Sequence, residues 1–167
     1  TDVDFSNVRV RAGDYVMSEV EKIMDEEELL NQTISEILEY CKNRNHWLIF
    51  CSTIKHAEHV RDKLREKGIK TESIHSKMST GERDKIIQDF QNKKIRALTN
   101  VNVLTTGFDA PFIDALIMLR PTKSVGCYIQ MTGRGLRISS GKKDCLVLDF
   151  AENILTHGPI DKIEIKE

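Results

Sequence analysis

From Trp47 onward, short apolar runs alternate with longer stretches that carry helix-spaced apolar positions among charged ones. Trp47-Leu48-Ile49-Phe50-Cys51 is apolar throughout and of strand length, the pattern of a strand covered on both faces. A charged stretch from about Thr53 to Lys67, stopped by Gly68, predicts a helix. Ile69 to His75 predicts the next strand and completes a β-α-β unit. Ser79 or Thr80 then caps a helix whose apolar face is Ile86, Ile87 and Phe90, and Ile95-Arg96-Ala97-Leu98-Thr99 begins a further strand. Ala115 to Leu119 and Cys145 to Asp149 predict two more strands with one helix between them. Ahead of Trp47, Ser18 and Asp25 are candidate N-caps of two adjoining helices, and Ile34, Ile37, Leu38 and Cys41 recur at helical spacing before the polar break at Lys42 to Asn45. Thr1 to Asp14 show no sustained periodicity, so an extended lead-in off the core is expected there.

Strands alternating with helices through short connections predict an α/β fold, a mainly parallel sheet between two helical layers. Its domain plan is a lead-in over 1–17, a core over 18–155 and a charged tail over 156–167. Sheets of this kind bind ligands at the carboxyl ends of their strands. The polar residues just past those ends are therefore the first site candidates: Ser52 and Thr53, His75 and Ser76, Asn100 to Asp109, and Pro121 to Ser124.

A chain of 167 residues is long enough for one substantial core. Lysine and arginine total 25 against 26 aspartates and glutamates, so any surface that attracts a polyanion must be local. The four cysteines, at 41, 51, 127 and 145, are widely spaced with no C-x-x-C, and read as reduced, buried thiols. No signal-peptide pattern opens the chain, and no apolar run approaches the roughly 20 residues that span a bilayer. A cytoplasmic setting, in a bacterial or phage-infected cell, is the expectation.

Tyr128-Ile129-Gln130-Met131-Thr132-Gly133-Arg134-Gly135-Leu136-Arg137 sets two arginines three residues apart. On a helix both guanidiniums then point the same way. Guanidinium is always charged and grips phosphate oxygens in a fork, which suits the stabilisation of a transferring phosphoryl group. The alternative for a lone Arg-x-x-Arg is a solvated basic helix end favoured by the macrodipole. The loop Thr99 to Pro111 is rich in hydroxyls and amides around Gly107, side chains that hydrogen-bond phosphate without bulk; turn chemistry alone also favours these residues. His46, His56, His59, His75 and His157 form no ligand cluster, so no metal site is expected. There is no G-x-x-x-x-G-K-[ST] and no acidic pair after an apolar strand, hence no cradle for β- and γ-phosphates and no evident magnesium ligand. The chain reads as half of an active site.

In order, these segments resemble the second RecA-like domain of a superfamily-two helicase of the DEAD/DEAH type. Leu48 to Thr53 looks like motif IV, Val101 to Pro111 like motif V, and Gln130 to Arg137, as Gln-x-x-Gly-Arg-x-x-Arg, like motif VI. The runs Asn102 to Pro111, Tyr128 to Arg137 and Leu146 to Ala151 look most like the RadD (YejH) type of DNA repair helicase. The resemblance implies that Arg134 and Arg137 reach across a cleft to ATP and Mg²⁺ held by an N-terminal ATPase domain outside this chain. It also implies that Gln130, Gly107 and Asp109 contact nucleotide or couple its state, and that Ser52, Thr53, His75, Asn102 and Thr105 face the backbone of a nucleic acid, DNA in the RadD case. Met131 and Thr106 depart from many DEAD-box relatives, where a basic residue and an arginine stand, so the contacts of those side chains do not carry over. A fragment of this kind is expected to bind no cofactor and to be inactive alone. The rival reading is a non-catalytic RecA-like adaptor that docks nucleic acid or protein, although an adaptor has no need of Gln130, Arg134 and Arg137 at motif spacing.

Overall fold

The computed structural model describes residues 3–101, 103, 112–133 and 145–158. The chain opens on a small antiparallel pair, β1 (Val10–Arg11) and β2 (Asp14–Tyr15), followed by α1 (Met17–Met24) and α2 (Glu27–Tyr40). The alternation then runs β3 (Trp47–Phe50), α3 (Ile54–Glu66), β4 (Thr71–His75), α4 (Thr80–Gln91) and β5 (Ala97–Val101). It continues through β6 (Ala115–Met118), α5 (Val125–Gly133), β7 (Leu146–Asp149) and α6 (Asn153–His157).

Strands β3 to β7 form one sheet in the order β4-β5-β3-β6-β7, with every neighbouring pair parallel. The central strand β3 is the first in sequence. The chain leaves it for one edge, returns through β5 and crosses to the far side, so the winding direction reverses beside β3. Because successive side chains on a strand face opposite ways, β3 serves two cores. Trp47, Ile49 and Cys51 pack with Val20, Met24, Leu30, Ile37, Val60 and Leu64 of α1 to α3. Leu48 and Phe50 pack with Phe90, Tyr128 and Met131 of α4 and α5. All five residues from Trp47 to Cys51 are at most 1% exposed, which explains the uninterrupted apolar run, and each such side chain contributes roughly 1.5–3 kcal/mol of transfer free energy.

The lead-in departs from expectation. Val3, Phe5 and Val8 are buried in the core under α1 and α2, and Phe5 packs against Tyr15 at 6.1 Å between ring centroids. An irregular segment carries no period to read, yet three apolar side chains are enough to seat it. The tail boundary also shifts, since α6 runs to His157 and His157 stacks on Tyr128 at 5.0 Å. The first two helix caps differ as well. Ser18 lies inside α1, whose N-cap is Val16, and Asp25 is the C-cap of α1. The N-cap of α2 is Glu26, whose carboxylate accepts from the amides of Glu28 (3.0 Å) and Leu29 (2.9 Å). Glutamate is an uncommon cap, and here its longer side chain bends back to the amides that Ser or Asp would normally reach. Thr53 and Ser79 cap α3 and α4 by accepting from His56 and Glu82.

All four cysteines are free thiols; Cys41 and Cys51 are buried, while Cys127 and Cys145 are half-buried. Burial pushes the Cys41 thiol up to about 12, so it stays protonated and unreactive near neutrality.

Helix α3 ends at Gly68, whose φ of +83° is the left-handed conformation of a helix terminator. A Cβ added there would meet nothing within 4 Å, so the cost of Gly68→Ala is conformational alone. Urea unfolding of Gly68→Ala is expected to show a loss of about 1 kcal/mol, with an unchanged m-value.

Candidate functional site

Because every neighbouring pair is parallel, the carboxyl ends of β4, β5, β3 and β6 share one edge of the sheet, and the winding reverses beside β3. Register places Phe50 opposite both Asn100 and Met118, and His75 opposite Val101, so the Ser52 and Thr53 segment and the His75 segment leave the same edge of the sheet with β5 between them. Their side chains are differently committed. Ser52 is 2% exposed; its amide donates to His56 Nδ1 at 3.2 Å, and its hydroxyl lies 3.0 Å from the same nitrogen. The Thr53 hydroxyl caps α3 by accepting from the His56 amide at 3.1 Å and donates to Glu21 of α1. His75 is half-buried, and its Nδ1 accepts from the Lys77 amide at 3.2 Å. Of the three, Ser52 thus turns inward, while Thr53 and His75 are both half-buried. Buried Asn100 continues the edge by accepting from the Val103 amide through Oδ1 at 3.3 Å.

His56 is the residue that motif reading passes over. It is fully buried at the start of α3, and desolvation pushes its pKa down to about 4. With Nδ1 accepting from the Ser52 amide, the neutral ring carries its proton on Nε2, which is buried and has no hydrogen-bond partner among the described residues. The ring therefore holds the turn after β3 in place as a neutral acceptor.

On the other side of β3, the loop that leads into α5 is gripped from two sides, by α6 and by β2. Asn153 Nδ2 donates to the Arg120 carbonyl and its Oδ1 accepts from the Thr122 amide, both at 2.9 Å. His157 Nε2 lies 2.6 Å from the Thr122 carbonyl. Asp14 of β2 accepts from the Thr122 hydroxyl at 2.6 Å, the Lys123 amide at 2.9 Å and Arg120 Nη2 at 3.2 Å. Helix α5 itself buries Tyr128, Met131 and Thr132 and leaves Gln130 exposed. Nothing in the local sequence marks Asp14 or Asn153, because their partners lie 106–109 and 31–33 residues away. Arg134, Arg137, Gly107, Asp109, Asn102 and Thr105 lie outside the described residues. No helix among the described residues is long and apolar enough to cross a membrane.

A three-layer parallel sheet with a reversal at its first strand, and an outward-facing glutamine on the helix before two arginines, define a RecA-like domain of the kind found in helicases. Residues 29–139 match the helicase conserved C-terminal domain family, and the chain belongs to that family. Among curated relatives, a Schizosaccharomyces pombe protein named for a mitochondrial ATP-dependent helicase, irc3, is 38% identical over 150 residues, covering 84% of this chain and 25% of its own length. UvrABC system protein B of Bacillus caldotenax is 33% identical over 130 residues, covering 75% of this chain and 19% of its own. The chain thus spans a quarter or less of these relatives. Of solved structures, the E. coli DEAD-box protein SrmB superposes with a TM-score of 0.67 at 19% identity over 81% of each chain. S. cerevisiae Dbp5 bound to RNA and ADP BeF3 superposes at 0.62 and 23% identity, over 80% of this chain and 36% of that one. These two likenesses confirm the fold.

The His56 ring sets a pH dependence. Between its unfolded value near 6.5 and its folded value of about 4, the unfolded chain binds the extra proton, so stability falls as pH falls. His56 is expected to account for a loss of about 3 kcal/mol across that window. Urea midpoints from pH 7 to pH 4 should therefore be less steeply pH-dependent in His56→Gln than in the parent.

Proposed function

We propose that this chain is the second motor domain of an ATP-dependent helicase or translocase that acts on DNA. ATP and Mg²⁺ sit on an N-terminal RecA-like domain of the same polypeptide, and Arg134 and Arg137 complete that site from across the cleft. The observation that carries the reading is the seating of α5. Its apolar side is locked into the core through Tyr128 and Met131, so Gln130 is held facing out of the domain, four residues ahead of Arg134 in a Gln-x-x-Gly-Arg-x-x-Arg run.

The residues present fit one wall of a nucleotide site. An exposed amide at Gln130 suits a nucleotide's hydrogen-bonding groups, and two guanidiniums suit phosphate oxygens. The chain has no phosphate cradle, which fits a wall rather than a complete pocket. Mg²⁺, when bound, neutralises phosphate charge. Gln130 positions the nucleotide, and Arg134 and Arg137 stabilise the charge that develops on the transferring group. Gly107 and Asp109 couple nucleotide state to the strand grip, with Asp109 near the ribose. Thr53, His75, Asn102 and Thr105 meet the nucleic-acid backbone along the sheet edge, and Ser52 contributes by shaping the turn behind them.

The choice of DNA rests on the likeness of Asn102 to Pro111, Tyr128 to Arg137 and Leu146 to Ala151 to RadD-type repair helicases. Stimulation of ATP hydrolysis by single-stranded DNA well above that by RNA supports it; the reverse preference overturns it. In the full-length protein, Arg137→Ala is expected to lower nucleic-acid-stimulated ATP turnover by roughly 10³-fold or more, with nucleotide affinity changed only a few-fold. Turnover left intact would remove the arginine-finger assignment and favour an adaptor role.

A further inference from the structure

We propose that Asp14 is a positioning residue for α5, tying the β1–β2 hairpin to the loop that starts this helix, which Arg134 and Arg137 follow in the chain. The inference rests on the reading of those arginines as completing an ATP site. One carboxylate makes the tie. Oδ2 accepts from Arg120 Nη2 and the Thr122 hydroxyl, and Oδ1 from the Lys123 amide, at 3.2, 2.6 and 2.9 Å. Charge-assisted bonds of this kind are stronger than neutral ones, and here they converge on a buried target: Arg120 is 6% and Thr122 1% exposed.

The neighbouring residue strengthens the grip. The Lys123 ammonium lies 5.2 Å from the Tyr15 ring centroid, and Tyr15 packs on buried Phe5. Two adjacent hairpin residues therefore clasp Arg120, Thr122 and Lys123 from one side, while Asn153 and His157 hold the same loop from the other. The loop continues through Ser124, whose amide donates to the Thr122 hydroxyl at 3.1 Å and whose own hydroxyl accepts from the Cys127 amide in the first turn of α5. Displacing the hairpin thus shifts Thr122, then Ser124, then the start of α5. The hairpin lies in the lead-in, so a pull on the lead-in has a direct mechanical path, through Asp14, Thr122 and Ser124, to the start of α5.

Asp14→Asn keeps the side chain's shape and removes its charge; Thr122→Val removes the hydroxyl that joins Asp14 to Ser124. In the full-length protein, saturated with single-stranded DNA, each is expected to lower kcat for ATP by about ten- to a hundredfold, the scale set by a small misplacement of catalytic groups. The KM for ATP should hold within about twofold. Gly68→Ala, a destabilising change remote from α5, should leave kcat unchanged and thus separates positioning from lost stability. Wild-type kcat in the Asp14 and Thr122 variants overturns the proposal. If Asp14→Asn fails to fold, the kcat of Thr122→Val decides alone, a loss supporting the tie and a wild-type value overturning it. Arg137→Ala assayed alongside separates the two ideas. Inactive Arg137→Ala with unaffected Asp14 and Thr122 variants defeats the tie and spares the ATP-site reading, and active Arg137→Ala defeats both.

Discussion

A sheet of five parallel strands has to be covered on both faces, and β3 carries that requirement at its centre. Trp47, Ile49 and Cys51 serve the core beneath α1 to α3, while Leu48 and Phe50 serve the core beneath α4 and α5. Because the first strand is also the middle one, the chain must reverse its winding beside it. The parallel pairing sets the carboxyl ends of β4, β5, β3 and β6 on one edge, and the reversal parts the connections beside β3 there, where sheets of this kind bind ligands. The site's location is therefore a consequence of how the apolar runs are buried.

Holding those loops in register takes hydrogen-bonded polar groups, buried or half-buried, after three of the four strands. After β3, a neutral histidine accepts the Ser52 amide and stays uncharged because burial disfavours its protonated form. After β5, Asn100 accepts from Val103. After β6, Asn153, His157 and Asp14 share the loop from Arg120 to Lys123. Buried polar groups of this kind are stabilising only when paired. The pairs formed here cross from the lead-in and from α6, which makes both ends of the described chain part of the domain's working core.

The strands were legible because burial on both faces demands unbroken apolar runs, and such runs at 47–51, 115–119 and 145–149 have few other interpretations. The ends of α3 and the start of α4 were legible because Gly68, Thr53 and Ser79 each have a specific backbone task. Val3, Phe5 and Val8 were not, since an irregular segment has no period and its burial depends on helices that follow it. Glu26 was missed because glutamate is a rare cap, and Asp14 because its partners stand over a hundred residues away. Gln130, a site candidate from its motif, lies exposed on α5, and its part in the site is a proposal. The sequence did not identify His56, which looks like one polar residue among many on a charged helix and acquires its role only through burial.

The account holds that this domain is one wall of an ATP site whose phosphate cradle lies on another domain. ATP hydrolysis by the isolated 167-residue chain, measured with and without single-stranded DNA after its folding is confirmed by a cooperative urea transition, tests that most directly. The account predicts no turnover above background in either condition. Robust, DNA-stimulated hydrolysis by the folded domain alone would contradict it.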